Sequence, residues 1–122
     1  MRKILIVEDE ELLRDSYRII LSTEPYDVDV AVNGQEALDK CQQTDYDLIL
    51  LDIMMPIMDG PTFLERYKKS KPGASNVIIL SNLSSGDELS RALELGARRS
   101  ILKASLSPKE LIATVRLEVE AL

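Results

Sequence analysis

The sequence has no histidine, one cysteine and no long apolar run, and each absence removes a class of function. Without histidine the chain cannot form a Ser-His-Asp or Cys-His triad, a histidine metal site or a phosphohistidine of its own. The single Cys41 excludes an internal disulfide and indicates a reducing, cytoplasmic setting. We expect it to be a small buried side chain. No apolar run approaches the roughly 18 residues of a membrane span. The first apolar run ends at Val7, too early for a signal peptide.

Basic residues are also few relative to acidic ones. The chain has 15 Lys and Arg against 21 Asp and Glu, which gives a net charge of −6. This balance argues against direct, non-specific binding to nucleic acid or to an anionic membrane. The length of 122 residues fits one domain spanning residues 1–122, and a hydrophobic content of 45% is enough for a packed core.

Short apolar runs alternate with amphipathic helical patterns, which is typical of a parallel α/β domain. The predicted strands are Lys3–Val7, Val28–Val32, Asp47–Leu51, Val77–Leu80 and Ser100–Leu102. The alternating valines of the second strand predict a half-exposed edge. Five strands and five helices predict a (βα)5, flavodoxin-like, doubly wound sheet in the order 2-1-3-4-5.

Capping signals predict where the helices begin. The first helix is expected over Glu10–Ser22, and the fifth carries Leu111, Ile112, Val115, Val119 and Leu122 on one face. The remaining signals are Asn33 with Glu36, Pro61, Ser84 or Ser85, and Ser107-Pro108 with Glu110.

Polar side chains follow four of the predicted strands: Glu8 and Asp9, then Asp52, Ser81 and Lys103. Ligands of open parallel sheets bind at this carboxyl edge. Two converging carboxylates, Asp9 and Asp52, repel each other unless a cation joins them, and Mg²⁺ prefers such oxygen ligands. Glu8 contributes directly or through a metal-bound water. Helix N-terminal acids are also favourable without a metal, and we give Glu10 and Glu11 that structural role.

The same edge predicts phosphoryl chemistry. Asp52 is the candidate nucleophile, because a carboxylate attacking phosphorus forms an acyl phosphate. Lys103 supplies a fixed positive charge for the phosphoryl oxygens, and Ser81 supplies a hydroxyl donor.

Three further features have both a functional and a structural interpretation. Asp59-Gly60 belongs to the site or is only a turn whose glycine takes positive φ. The methionines Met54, Met55 and Met58 adapt to a partner or simply pack. Arg91, Arg98 and Arg99 form either a basic partner site or ordinary solvated surface.

These residues occur in a recognisable order, and over essentially its whole length the chain resembles the receiver domain of bacterial response regulators. The matching motifs are Ile4-Leu5-Ile6-Val7-Glu8-Asp9-Glu10, Leu50 through Gly60, Ile79-Leu80-Ser81, Leu95-Gly96-Ala97 and Lys103. The resemblance implies that Asp52 accepts a phosphoryl group from a phosphohistidine on a sensor histidine kinase or a histidine phosphotransfer protein. It also implies Mg²⁺ held by Glu8, Asp9, Asp52 and the backbone carbonyl of Met54, with Ser81 and Lys103 on the phosphoryl oxygens. Movement of Ser81 would then alter the surface of helix four, strand five and helix five.

The sequence departs from the family pattern at three positions. Ser100 stands where the family usually has an aromatic switch residue, and Asn82 stands where a small residue is usual. Ala104 replaces the usual cis proline after the lysine, so we expect a trans peptide bond and a rearranged loop up to Ser107. The phospho-acceptor site is intact, whereas the usual output apparatus is altered.

The first interpretation is therefore a phosphorylation-dependent signalling switch, acting through a downstream protein that the sequence does not name. A phosphorylation-independent interaction module remains open because of Ser100 and Ala104. An aspartate-dependent phosphatase is less favoured, since Met54 stands where such enzymes carry a second acid, so we do not expect an enzyme. A flavin mononucleotide binder is disfavoured by the acidic turn after strand one. A second copy of the chain, forming a homodimer, is the alternative partner to a downstream protein.

Overall fold

The structure is a computed structural model that describes residues 1–73, 76–82 and 86–122. Within these ranges, five strands alternate with five α-helices. The strands are β1 (Arg2–Val7), β2 (Tyr26–Ala31), β3 (Leu48–Asp52), β4 (Asn76–Ser81) and β5 (Arg99–Leu102). The helices are α1 (Glu11–Ser22), α2 (Gly34–Gln43), α3 (Gly60–Ser70), α4 (Asp87–Glu94) and α5 (Pro108–Glu120), with a short 3₁₀ helix over Lys103–Ser105. No described helix is long and apolar enough to cross a membrane.

The strands form one parallel sheet in the order β2-β1-β3-β4-β5, which confirms the predicted fold. All five residues of β3 are buried, as expected for a central strand covered on both faces, whereas β2 is a half-buried edge. The register pairs Val7 with Leu51 and Asp52 with Leu80. The ends of β1, β3 and β4 are therefore level with one another, and the residues that follow them meet at one edge.

Each face of the sheet has its own apolar core. One core packs α2, α3 and α4 against the sheet through residues such as Cys41, Phe63 and Ala92. The other packs α1 and α5 through residues such as Leu21 and Val115. Cys41 is buried, as predicted, and burial raises the pKa of its thiol to about 11. The sheet therefore lies between two layers of helices.

Three helices begin where the sequence signals predict: α2 after Asn33, α3 beside Pro61 and α5 after Ser107. The side chains of Asn33, Asp59 and Ser107 accept backbone N–H bonds of 2.9, 2.8 and 3.1 Å from residues three positions further along. These bonds satisfy donors that a helix N-terminus leaves unpaired. Ser84 and Ser85, the predicted caps of the fourth helix, lie outside the described residues.

Two local predictions were wrong. Gly60 does not take positive φ; it begins α3, and a Cβ there would lie 2.3 Å from the backbone oxygen of Asp52. Position 60 has to be glycine because two backbone segments approach closely there. Leu122 does not extend the apolar face of α5, because the helix ends at Glu120 and Leu122 is exposed.

Candidate functional site

The residues predicted at the carboxyl edge of the sheet surround one cavity of about 360 Å³. Glu8 and Asp9 follow β1, Asp52 ends β3, Ser81 ends β4 and Lys103 follows β5. The remaining lining residues are Glu10, Ile53, Met54 and Asn82. Every side chain to which the sequence assigned a phosphoryl or metal role thus lies at this cavity, and Met54, predicted through its carbonyl, lines it too.

An ammonium shared by two carboxylates forms the floor of the cavity. The Lys103 Nζ donates to Glu8 Oε1 at 2.6 Å and lies 3.1 Å from Asp52 Oδ1. All three side chains are at most 10% exposed, so water screens these charges poorly. The shorter contact goes to Glu8. The positive charge of Lys103 therefore offsets the negative charge of Asp52 less completely than it offsets that of Glu8.

This unequal sharing changes the proton affinity of the nucleophile candidate. Burial, reinforced by the neighbouring charge of Glu8, raises the pKa of Asp52 to about 7, although Lys103 acts in the opposite direction. For Lys103, burial favours the neutral amine, but its bonds to Glu8 and Asp52 outweigh burial and raise its pKa. The cluster therefore keeps its cation and makes one carboxylate reluctant to ionise.

The donor set fits a hard divalent cation. Glu8, Asp9 and Asp52 each offer a carboxylate oxygen, and these oxygens lie within 4.8 Å of one another. When all are ionised, three carboxylates are matched by one ammonium, so the cluster carries two excess negative charges. Mg²⁺ prefers carboxylate oxygens, few protein ligands and retained waters, and the open cavity leaves room for the waters.

The β1–α1 turn is held by a residue that the sequence reasoning missed. Arg14 Nη1 donates to the backbone oxygens of Glu8 and Asp9 at 3.1 and 3.2 Å. The Glu10 N–H donates to Glu8 Oε2 at 3.2 Å. Both contacts fix the direction in which the turn presents its acids. Spacing along the sequence gives no signal for Arg14, because its partners are carbonyl groups.

The methionines near Asp52 occupy different environments. Met58 is buried and Met55 packs against the core, so both have a structural role, whereas Met54 is 66% exposed at the cavity rim. Met54 stands two residues after Asp52, where an aspartate-dependent phosphatase needs an acid, and its thioether cannot protonate a leaving group.

The departures from the family pattern lie in β5 or within two residues of the ends of β4 and β5. Ser100 is half-buried in β5 opposite Ile79, so this position offers a hydroxymethyl group where an aromatic ring is usual. Asn82 is exposed at the rim. The peptide bond before Ala104 is trans, as predicted, since the described residues contain no cis bond. The chain then continues as the 3₁₀ helix.

The three arginines do not form one free basic site. Arg98 Nε and Arg99 Nε lie 2.9 and 3.3 Å from the carboxylate of Glu118, a buried residue of α5, and Arg91 lies 3.3 Å from Glu65. The sequence analysis missed Glu118, because a single acid near the end of an amphipathic helix gives no signal of burial. Arg98 and Arg99 thus attach α5 to the start of β5.

Comparison with known proteins agrees with this architecture. A family model described as the response regulator receiver domain matches residues 4–116. The transcriptional regulatory protein ResD of Bacillus subtilis is 39% identical over 116 residues, which cover 93% of this chain and 46% of ResD. The chemotaxis protein CheY of Halobacterium salinarum is 33% identical over 107 residues, 88% of each chain.

Solved structures show the same similarity. A CheY-like receiver domain protein from Methanospirillum hungatei JF-1 has a TM-score of 0.91 at 30% identity, covering 99% of this chain and 95% of that one. The chain spans about half, or less, of the length of the first curated relatives that it matches.

Proposed function

Because the chain belongs to the response regulator receiver domain family, we propose that it is a phosphorylation-dependent switch whose phospho-acceptor is Asp52. One observation carries the proposal. Asp52 lies in a cavity with two further carboxylates, and its Oδ1 is 3.1 Å from a buried ammonium, that of Lys103. A carboxylate nucleophile beside a fixed positive charge and further metal-binding oxygens suits phosphoryl transfer.

The proposed step forms one bond and breaks one bond. An Asp52 carboxylate oxygen attacks phosphorus, the P–N bond of the donor phosphohistidine breaks, and its electron pair returns to the imidazole nitrogen, giving an aspartyl phosphate. The donor is a sensor histidine kinase or a histidine phosphotransfer protein. Mg²⁺, held by Glu8, Asp9, Asp52 and the Met54 carbonyl, would supply positive charge that lowers repulsion between carboxylate and phosphoryl group. Lys103 and Ser81 would bind the phosphoryl oxygens.

Lys103 has to divide its bonds differently once a phosphoryl group is present. Its ammonium now lies between Glu8 and Asp52. Phosphorylated Asp52 would present strongly charged oxygens, and we expect the ammonium to move from Glu8 toward them. Ser81 at the end of β4 would move in the same direction, which links the site to the start of α4.

The output is proposed to be a changed protein surface at α4, β5 and α5. It would be recognised by a downstream protein, or by a second copy of the chain, without direct contact to nucleic acid. The lone buried thiol of Cys41 agrees with a cytoplasmic setting. Because Ser100 provides no aromatic ring, the rearrangement would depend on Ser81 and Lys103.

The second candidate is an interaction module that binds its partner without phosphorylation. Ser100 favours it, because a half-buried hydroxymethyl group at this position has no large side chain to exchange between two positions. The two candidates differ in whether Asp52 is modified at all.

The test is intact-mass spectrometry after incubation with acetyl phosphate, with and without Mg²⁺. We expect the wild type to gain one phosphoryl group only with Mg²⁺, and Asp52→Asn to gain none. Asp27→Asn is the matched control, because Asp27 is an exposed carboxylate in β2, away from the cavity. Absence of labelling, under conditions that label another receiver domain, would refute the switch and favour the interaction module.

A further inference from the structure

The loop that connects β3 to α3 is restrained by three backbone hydrogen bonds. Gly60 N–H donates to the Ile53 oxygen at 2.8 Å and closes the base of the loop. Met58 N–H donates to the Pro56 oxygen at 2.7 Å across Ile57, whose φ is 70°, so the tip is a γ-turn. The third bond leaves the loop: Gly34 N–H donates to the Met58 oxygen at 3.1 Å. Gly34 is the first residue of α2, so this bond attaches the loop tip to a neighbouring helix.

Gly34 allows an approach that no other residue would allow. A Cβ at this position would lie 2.7 Å from the Met58 oxygen and 2.9 Å from Met58 Cγ. The first of these is a backbone atom, so rotation of the Met58 side chain cannot relieve the overlap. The φ of Gly34 lies outside the left-handed region. Position 34 therefore has to be glycine because of its contact with Met58 in the loop, and not because of its backbone conformation.

A displacement of the loop tip would be transmitted toward the cavity. The base cannot absorb it, because Gly60 packs so closely that a Cβ there would lie 2.3 Å from the Asp52 oxygen. The remaining segment, residues 54–57, would have to adjust, and it begins with Met54 at the cavity. Mg²⁺ tolerates little error in its ligands, since it demands near-octahedral geometry at about 2.0–2.1 Å.

We propose that Gly34 is a positioning residue of the metal site: its contact with Met58 holds the β3–α3 loop so that the Met54 carbonyl is correctly placed for Mg²⁺. This inference rests on the proposed function, because that function assigns the Met54 carbonyl to the metal. It adds a residue on a different helix that touches neither the metal nor the phosphoryl group.

The first test compares Mg²⁺ dissociation constants, measured by isothermal titration calorimetry, for the wild type and Gly34→Ala. We expect the constant to rise about tenfold or more, as for other changes to residues that support metal ligands. Gly73→Ala is the matched control: Gly73 has φ +77° and no atom within 4 Å of a Cβ. It should lose stability through backbone strain and keep the wild-type constant, which separates loss of stability from loss of positioning.

The second test uses the wild type, so it does not depend on a variant that folds. If the Gly34–Met58 bond favours metal binding, metal binding must favour that bond to the same extent. Amide hydrogen exchange measured by NMR should therefore slow at Gly34 when Mg²⁺ is added. The amide of Ala37, which donates to the backbone oxygen of Asn33 at the N-cap of the same helix, is the internal reference and should change less.

The outcomes distinguish the two proposals. A wild type that binds no Mg²⁺ would refute the metal site of the proposed function. A wild type that binds Mg²⁺, with an unchanged constant in Gly34→Ala or no selective slowing at Gly34, would overturn the positioning role and leave the site itself standing.

Discussion

Replacing Asp52 by asparagine should stabilise the metal-free protein at neutral and higher pH. Burial and the charge of Glu8 raise the pKa of Asp52 to about 7, so the folded protein binds this proton more tightly than the unfolded chain does. The stability associated with the proton is complete below the ordinary carboxyl pKa of 3.8 and is lost as the pH rises through about 7. Asparagine resembles the protonated acid and carries no charge at any pH.

The magnitude follows from the size of the shift. An increase from 3.8 to about 7 is about three pKa units, which corresponds to about 4 kcal/mol if it appears fully as a folding penalty. Relaxation and entry of water reduce such penalties. We therefore expect the free energy of unfolding of Asp52→Asn at pH 8 to be about 2 kcal/mol higher than that of the wild type. Its amide oxygen can still accept the Ile53 N–H bond of 2.8 Å.

The assay is urea denaturation in EDTA at pH 4.5, 6 and 8. The difference between Asp52→Asn and the wild type should be largest at pH 8 and smallest at pH 4.5. Asp27→Asn is the control, because Asp27 is exposed and lies outside the cavity, so its replacement should change the free energy of unfolding by less than about 0.5 kcal/mol. A variant as stable as the wild type at pH 8, or a difference that does not vary with pH, would refute the assignment of an ionisation penalty to Asp52.

Three further predictions concern single residues. Ser107→Ala should lower the free energy of unfolding by about 1 kcal/mol, because α5 loses the 3.1 Å cap to Glu110 N; urea denaturation measures this, and an unchanged midpoint would contradict it. Ile57→Gly should raise the unfolding free energy by about 1 kcal/mol, since a β-branched residue at φ 70° in a γ-turn is strained, glycine has no Cβ to strain, and the Ile57 side chain is 82% exposed; a less stable variant would show that the strain is not released. Cys41 should react slowly with a disulfide reagent at pH 8 in the native protein and rapidly in urea, because burial raises its pKa to about 11; fast native labelling would argue against that burial.

The fold could be predicted because local signals agreed with one another. Each apolar run was bounded by a polar residue or a turn, and strong caps such as Ser107-Pro108 with Glu110 marked the helix starts. The alternating valines of β2 predict an edge strand, and β2 is the half-buried edge of the sheet. Since parallel strands place their carboxyl ends at one edge, the site residues followed from the order of the strands.

Close backbone approaches could not be predicted from the sequence. Positive φ is a common reason for glycine in a loop and is one of two interpretations of Gly60 from the sequence, whereas here Gly60 lies against the backbone of Asp52. Gly34 was not singled out at all, and its neighbour Met58 is 24 positions away in the chain. The sequence does not distinguish a glycine that is needed for positive φ from one that is needed because a Cβ would clash. Only the three-dimensional structure distinguishes them.

The unequal distances from the Lys103 ammonium to the two carboxylates also could not be predicted from the sequence. The sequence assigns Lys103 to the phosphoryl oxygens and does not predict how its ammonium is divided between Glu8 and Asp52. In the structure the shorter bond, 2.6 Å, goes to Glu8. That difference leaves Asp52 buried beside a like charge and only partly compensated, which is why its pKa rises. A carboxylate in this state gains more from an added cation than a fully paired one would. Burial beside Glu8 therefore disfavours ionisation of Asp52 when no metal is bound. The same arrangement should couple ionisation of Asp52 to Mg²⁺ binding.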